Sequence, residues 1–471
     1  MTEKEKKLKK AKDKEELEFK PRHIAELNNK LQTDANKYGQ KYIDFLNNCK
    51  TERETVKYIQ EMAVKTGYKK FDKNTNYKPG DKVYLNIKDK SIILSTIGDS
   101  KMKNGVCIVA SHVDSPRIDL KTRPLYSDSE LAMFKTHYYG GIKKHHWITI
   151  PLALHGVIVD KREKVIDVKI GETEDDTTFC ITDLLPHLER MQDRDRMWGE
   201  VIAGEQLNVI AGSIPFKDKN ENGDSKINIL KILNKKYNIT EEDLICADLS
   251  LVPAFDAKNI GLDRSLIGGY GQDDKVCVYA SLIAELQTKN NQQTTVSVFT
   301  DREEIGSDGN TGLASDMLKN YLNMLCKADI NTYLECIENS ICLSADVKAA
   351  FDPTWAHAYE RNNCGYLNHG VCVSRYTGGG GKAGTSEARA EFTRRIVNTL
   401  NKKEIAWQTS SNKVDQGGGG TVARFIANLG IEVIDIGVPI LSMHSPYEIV
   451  SKLDAYMMFE AISAFLETNE I

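Results

Sequence analysis

The chain is predicted to fold as an α/β protein, with a mostly parallel sheet covered by helices on both faces and interrupted by a β-rich insertion. Three observations predict this. Short continuous apolar runs, such as residues 106–110, are typical of strands buried on both faces. Strands of this kind alternate with segments of helical periodicity, which favours a parallel sheet. Between about residues 120 and 253 the apolar residues instead alternate with polar ones, as in antiparallel strands with one wet face.

Size and composition limit the classes of function. The length of 471 residues suggests two or three domains, and 41% hydrophobic residues can form full interiors. A formal net charge of −4 argues against binding to nucleic acid or to a membrane surface, because both need a basic excess. No apolar stretch approaches the roughly 18 residues that span a bilayer, and the charged arm at residues 1–20 lacks the apolar core of a signal peptide.

The cysteines indicate the compartment. There are ten of them, they are scattered mostly through apolar runs, and no Cys-x-x-Cys spacing occurs. A thiolate zinc site or a redox motif is therefore disfavoured, and free thiols in a reducing environment are the simpler account. We expect a cytoplasmic protein.

The elements follow in order along the chain. Thr51 and Glu54 form a capping box and Gly67 suits a helix end, which predicts a helix over residues 51–67. Ser445, followed by Pro446 and Glu448, predicts the start of the last helix. The remaining expected elements are a strand at 106–110, a helix from Asp273 or Asp274, a strand at 296–300, a helix near 315–325, a strand near 341–344, helices at about 386–400 and 421–429, and a strand at 433–438.

Chemically active side chains lie at the ends of these predicted strands or at the starts of the helices beside them. Taken singly, each is explained more simply as a cap, a turn or a surface charge. Strand ends at one edge of an α/β sheet meet in space, however, so we expect the set to converge. Its members are His112 with Asp114, Asp273 or Asp274, the adjacent pair Glu303 and Glu304, Asp346, and His444.

The composition of this set predicts a metal centre. Imidazoles and carboxylates without a thiolate suit a catalytic pair of zinc, cobalt or manganese ions rather than a structural zinc. There is no His-Glu-x-x-His helix, so a single-zinc protease of that type is not supported. In a dinuclear hydrolase one carboxylate of an adjacent pair binds metal while its neighbour transfers protons.

The ordered motifs resemble those of the aspartyl aminopeptidase and aminopeptidase I family, over residues 19–468. They are His112-Val113-Asp114-Ser115-Pro116, Gln272-Asp273-Asp274, Glu303-Glu304-Ile305-Gly306-Ser307, Ser344-Ala345-Asp346 and Ser442-Met443-His444-Ser445. The resemblance implies a proteolytic α/β domain made of residues 1–118 and 255–471. An inserted β-rich dimerisation domain would occupy residues 119–254.

The resemblance also implies a role for each site residue. Two divalent cations would be held, one by His112 and Asp346, the other by Glu304 and His444. Asp273 would bridge the two cations, and it is preferred to Asp274 because the family's bridging Asp directly follows the short loop. Glu303 would be the general base and Asp114 the partner of His112. His155, in the segment Ile150-Pro151-Leu152-Ala153-Leu154-His155, would reach the neighbouring subunit's active site.

The implied function is that of a metalloaminopeptidase, which removes single residues from small peptides with a free N-terminus. Zn²⁺ is the first candidate metal, with Co²⁺ or Mn²⁺ as alternatives. Family members form homodimers and hollow tetrahedral homododecamers. Two other classes remain open: a dinuclear amidohydrolase or deacylase acting on N-acyl amino acids, and a non-catalytic metal-bound assembly protein.

The side-chain preference is open as well. The glycine runs at residues 378–381 and 417–420 depart from the aspartate-selective members of the family. Lys382 or Arg375 could pair with an acidic substrate side chain, but both are equally explained as solvated loop cations. Acidic and neutral N-terminal residues are therefore both possible.

Overall fold

The computed structural model describes residues 13–14, 16–26, 29–173, 176–192, 197, 199, 201–216, 224–289 and 291–467. Much of the predicted charged arm, namely residues 1–12 and 15, lies outside the described residues. Within the described part, no helix is both long and apolar enough to cross a membrane.

A nine-stranded sheet forms the centre of the fold. Its four middle strands are mutually parallel, and five of its eight pairings are parallel. The carboxyl ends of the middle strands therefore meet along one edge. In spatial order the strands are Lys69–Lys70, Lys82–Ile87, Ser91–Thr96, Thr295–Thr300, Cys107–His112, Ile341–Ala345, Glu432–Gly437, Val371–Ser374 and Trp407–Thr409.

Helices cover both faces of this sheet, as predicted. On the strand Cys107–His112, the side chains of Cys107 and Val109 join one hydrophobic cluster, while those of Ile108 and Ala110 join the other. This alternation explains why the strand reads as a continuous apolar run. One cluster includes the helices Asn29–Asn48, Glu52–Lys65, Gln272–Gln287, Ala390–Lys402 and Lys452–Leu466. The other includes Met317–Leu325, Ile330–Glu338 and Ala423–Ala427.

A second sheet of seven strands, all paired antiparallel, lies between residues 117 and 253. It has a hydrophobic cluster of its own, and it agrees with the predicted β-rich insertion. The division into domains and the role in dimerisation stay predictions. The strands are Val165–Ile170, Leu152–Val159, Ala247–Pro253, Arg117–Asp128, Leu131–Tyr139, Val209–Gly212 and Cys180–Ile181, with the helices Pro186–Gln192, Ser225–Tyr237 and Glu241–Ile245.

A third sheet corrects one prediction. The last helix does not start at Ser445, because Glu448–Ser451 is a strand that pairs with both Leu266–Gly269 and Pro439–Leu441. The backbone hydrogen bonds to these two neighbouring strands outweigh the local preference for a helix start. The helix starts at Lys452. The hydroxyl of Ser451 caps it by accepting hydrogen bonds from two backbone N–H groups. The five strands in order are Lys258–Ile260, Leu266–Gly269, Glu448–Ser451, Pro439–Leu441 and Lys348–Ala349.

The other predicted elements are present, with ends shifted by a few residues. The first predicted helix is Glu52–Lys65, where Thr51 and Glu54 form the expected capping box and Gly67 has φ +95°. Short 3₁₀ helices connect several elements: Ile24–Glu26, Met102–Asn104, Lys144–His146, Gly204–Gln206, Glu303–Ile305, Pro353–Ala358 and Gly380–Lys382.

Candidate metal centre

The carboxyl edge of the nine-stranded sheet brings the predicted ligands together. His112 ends the strand Cys107–His112, and Asp346 directly follows Ile341–Ala345. Glu304 lies in the short helix after the strand Thr295–Thr300. Asp273 is at the start of the helix Gln272–Gln287, and His444 follows the strand Pro439–Leu441.

The carboxylate of Asp273 lies between the two imidazoles. Its Oδ1 is 3.1 Å from Nε2 of His112, and its Oδ2 is 3.3 Å from Nε2 of His444. Beyond each imidazole lies a further carboxylate, because His112 Nε2 is 4.0 Å from Asp346 Oδ1 and His444 Nε2 is 3.5 Å from Glu304 Oε2.

These side chains form two overlapping groups that suit metal ions. One consists of His112, Asp273, Asp274 and Asp346, and the other of Asp273, Glu304 and His444. Within each group the candidate ligand atoms lie within 4.8 Å of one another. Among the described residues Asp273 alone belongs to both groups, so the donor set fits two cations that share this carboxylate.

Asp274 has a different setting from Asp273. Its Oδ2 accepts a hydrogen bond of 3.2 Å from the backbone N–H of His112, and its Oδ1 is buried without a partner in the described structure. Burial raises the pKa of Asp274 well above its usual value. The geometry therefore favours Asp273 as the shared ligand, in line with the preference from the sequence.

The electrostatics of the cluster indicate that a positive charge belongs there. Burial raises the pKa of Glu303 to about 8, and it raises that of Glu304 well above its usual value. Burial acts on Asp273 in the same direction, but His112 and His444 hold its pKa well below the usual range. Glu304 Oε1 is buried without a partner among the described residues. A divalent cation would satisfy such oxygens and keep these carboxylates ionised.

Asp114 positions the residues around it. Its side chain accepts hydrogen bonds of 3.2 Å from the backbone N–H groups of both Glu303 and Glu304, and one of 2.8 Å from the Tyr139 hydroxyl. Nδ1 of His112 lies 3.4 Å from Asp114 Oδ1 and 3.0 Å from its backbone oxygen. Asp114 therefore contacts both His112 and the backbone of the two adjacent glutamates, and its role as the partner of His112 stays a prediction.

Two positioning groups come from the seven-stranded sheet and were not predicted. The strand Leu131–Tyr139 ends at the centre, where Tyr139 donates to Asp114. Two residues later the backbone oxygen of Gly141 lies 2.9 Å from Nδ1 of His444. The Gly140-Gly141 pair after a strand was the only local signal, because the proximity arises from the packing of the two sheets.

Glu448 is a third residue that the sequence prediction missed. It is 1% exposed, and its two carboxylate oxygens accept from the backbone N–H groups of Asp273 at 3.1 Å and His444 at 2.7 Å. It thus ties two candidate ligands to one another. In the sequence, Glu448 matches the capping pattern of a helix start, which gives no sign of these contacts.

His155 does not have the setting that was expected. Its ring is fully buried, with Nδ1 2.9 Å from Glu54 Oε1 and Nε2 2.8 Å from Glu172 Oε1. Lys50 lies 2.8 Å from the same oxygen of Glu172. Because both ring nitrogens are engaged inside the chain, the ring cannot reach a neighbouring subunit's substrate, and we correct that expectation.

A cavity of about 440 Å³ opens over the candidate ligands. Lys348 lines it, together with Thr377, Asn412 and the glycines at 418–420. Arg375 and Lys382 were the two candidate partners for an acidic substrate side chain. Both side chains pair with Glu387 instead, at 3.3 and 2.9 Å. Lys348 is the only lysine or arginine among the described residues that line this cavity.

Comparison with known proteins identifies the family. The family model described as aminopeptidase I zinc metalloprotease (M18) matches residues 45–466. The chain belongs to this M18 family. A probable M18 family aminopeptidase 1 from Clostridium acetobutylicum is 44% identical over 437 residues, which are 91% of this chain and 94% of the relative. Membership confirms the predicted class of activity, a metalloaminopeptidase that hydrolyses peptide bonds.

Solved structures of M18 proteins confirm the fold class. The crystal structure of an M18 aminopeptidase from Thermotoga maritima matches with a TM-score of 0.91 and 39% identity, covering 96% of this chain and all of that chain. The structure of a yeast mApe1 dodecamer matches with a TM-score of 0.73 and 20% identity, covering 90% of this chain and 95% of that chain. The second likeness concerns the fold alone.

Proposed function

We propose that this M18 protein removes single residues from the free N-terminus of small peptides at a centre of two divalent cations. The observation that carries the proposal is the carboxylate of Asp273, whose two oxygens face His112 and His444 at 3.1 and 3.3 Å. Zn²⁺ is the first candidate, and Co²⁺ and Mn²⁺ suit the same nitrogen and oxygen donors.

Each cation has its own ligands in this proposal. His112 and Asp346 would hold one, Glu304 and His444 would hold the other, and Asp273 would be shared. Bound divalent cations polarise the scissile carbonyl and lower the pKa of water. Asp114 and Glu448 hold the ligands in place through the hydrogen bonds they accept.

Glu303 transfers the proton. Its side chain lines the cavity of about 440 Å³ over the candidate ligands, called the catalytic cavity below, but belongs to neither ligand group, and its backbone N–H donates a hydrogen bond to Asp114. In that position Glu303 accepts a proton from the attacking water and then delivers one to the leaving amine.

The substitution Glu303→Gln tests this role. The variant should keep its fold and bound metal but lose turnover by about 10²–10⁴-fold, the usual contribution of a general base. Glu335→Gln is a matched control, because that side chain is 52% exposed and lies outside the centre. Substantial turnover in Glu303→Gln with normal metal content would contradict the assignment.

The choice of substrate distinguishes an aminopeptidase from a deacylase. An aminopeptidase acts on a free N-terminal amine, whereas an N-acyl amidohydrolase acts on a blocked one. A peptide should therefore be cleaved, while its N-acetylated form should not. Preferential cleavage of the acetylated form would favour an N-acyl amidohydrolase.

A panel of aminoacyl amides with aspartyl, glutamyl and leucyl members decides between an acidic and a neutral preference for the N-terminal residue.

Self-association and a cytoplasmic location complete the proposal. We expect homodimers through the part of the chain that forms the seven-stranded sheet, and a homododecamer like that of the yeast protein of the same fold. Light scattering after gel filtration should give the mass of twelve chains, and a lone monomer would contradict it. All ten cysteines are free, which supports a reducing compartment.

A further inference from the structure

A second and larger cavity, of about 1190 Å³, adjoins the catalytic cavity. The two cavities share Ala349, Met443 and His444 as lining residues. His444 is a candidate ligand, so the boundary between the cavities runs along the metal centre itself.

The walls of the second cavity suit apolar side chains. Trp355 is 58% exposed and lies on the short helix Pro353–Ala358. The cavity is also lined by Phe255 and Tyr447, whose rings meet edge to face with centroids 5.4 Å apart. Aromatic walls of this kind bind apolar groups strongly, because each ring buries a large area at a low cost in side-chain entropy.

The cavity also offers polar partners for a peptide. A bound peptide carries N–H, C=O and carboxylate groups that need polar partners. Lys143 and Lys258 are exposed at the same cavity, which Asp256 and Asp352 also line, and neither ammonium group lies within 4.0 Å of a carboxylate of the described residues.

We propose that the second cavity binds the portion of a peptide substrate downstream of the scissile bond. An apolar side chain two or three residues from the N-terminus packs against Trp355, and the carboxylate of a short peptide faces Lys143 and Lys258. An extended chain advances about 3.3 Å per residue, and pockets of about 300–1,000 Å³ already enclose drug-sized ligands, so the volume suits a few residues. This inference rests on the proposed aminopeptidase function.

The test compares two substrates that differ only downstream. One is an aminoacyl amide, which has no downstream residue, and the other is a tetrapeptide with the same first residue and phenylalanine in third place. Trp355→Ala should lower kcat/KM for the tetrapeptide by about tenfold, as expected for losing an aromatic anchor, and mainly through KM. Cleavage of the amide should be unchanged, and Trp355→Phe should restore most of the loss.

Leu334→Ala is the matched control. Leu334 is 57% exposed, lies on the helix Ile330–Glu338 and lines neither of the two cavities, so both substrates should be cleaved normally. Cleavage of the amide by the unaltered protein tests the proposed function by itself. The ratio of kcat/KM for the tetrapeptide to kcat/KM for the amide tests whether the second cavity binds the downstream residues.

Three results would overturn the inference. They are an equal loss on both substrates in Trp355→Ala, no loss on either substrate, and loss of self-association with unchanged tetrapeptide cleavage. The last would assign the cavity to contact with another copy of the chain.

Discussion

Removal of the cations should leave a protein whose stability falls as the pH rises. Without cations, burial raises the pKa of Glu303 from 4.5 to about 8. An unfolded glutamate has released its proton above about pH 4.5, so the folded chain binds more protons between these values and loses stability as the pH rises. Burial lowers the pKa of His444, but Asp273 and Glu304 outweigh it and raise that pKa from 6.5 to about 10. The stability that His444 contributes is complete below its unfolded pKa of 6.5 and is lost as the pH rises towards about 10. It therefore changes with pH in the same direction as the contribution of Glu303.

The size of the effect follows from Glu303. In the unfolded chain Glu303 is half ionised at about pH 4.5, whereas in the folded chain it is half ionised at about pH 8. Over the roughly 2.5 pH units between pH 4.5 and pH 7, the folded chain therefore keeps a proton that the unfolded chain has largely lost. At about 1.4 kcal/mol per unit, metal-free protein should be roughly 3 kcal/mol less stable at pH 7 than at pH 4.5 through this residue. Metal binding works the other way, because carboxylate and imidazole ligands must be deprotonated to bind. The stability gained from zinc should therefore increase with pH.

Chemical denaturation of chelated and zinc-loaded protein, across about pH 5 to pH 8, measures this directly. The stability difference between the two forms should widen steadily as the pH rises. The variant Glu303→Gln is the internal control, because an amide does not titrate and the chelated protein should lose part of its pH dependence. A difference that stays constant or narrows with pH would refute the reasoning, as would an unchanged slope in the variant.

Two further substitutions test the surroundings of the centre. Tyr139→Phe removes a hydrogen bond to the buried Asp114, worth about 1.5–3 kcal/mol, and should lower kcat/KM by about tenfold or more in steady-state assays. Tyr138→Phe, at the adjacent and 42% exposed position, should have no effect, and equal behaviour of the two variants would argue against the role of Tyr139. His155→Ala removes the shared partner of Glu54 and Glu172, while Lys50 still pairs with Glu172, so urea unfolding should show a loss of about 1–3 kcal/mol. The folded variant should keep its kcat/KM, and lost activity at full stability would restore a catalytic role for His155.

Much of the centre could be predicted because its ligands follow local rules. His112 and Asp346 come at the ends of strands that read as continuous apolar runs, and parallel strands bring such ends together. Asp273 comes two residues after Gly271, at the start of a helix, which is an equally local pattern. The fold class followed from the same runs, because both faces of the central strands are covered by helices.

The rest depends on contacts between residues far apart in the sequence. Tyr139 reaches Asp114 only because the seven-stranded sheet packs beside the centre. Glu448 looked like a helix cap, yet the strand Glu448–Ser451 is fixed by two neighbouring strands and turns its carboxylate towards Asp273 and His444. His155 lies in a segment that resembles a family motif, but a sequence cannot show that Glu54 and Glu172 enclose its ring.

Anomalous diffraction from crystals of the zinc-loaded protein tests the central claim most directly. The account predicts two zinc ions in each chain, about 3.5–4 Å apart, both contacting the carboxylate of Asp273. One should also contact His112 and Asp346, and the other Glu304 and His444. A single ion at saturating zinc, or two ions that do not share Asp273, would contradict it.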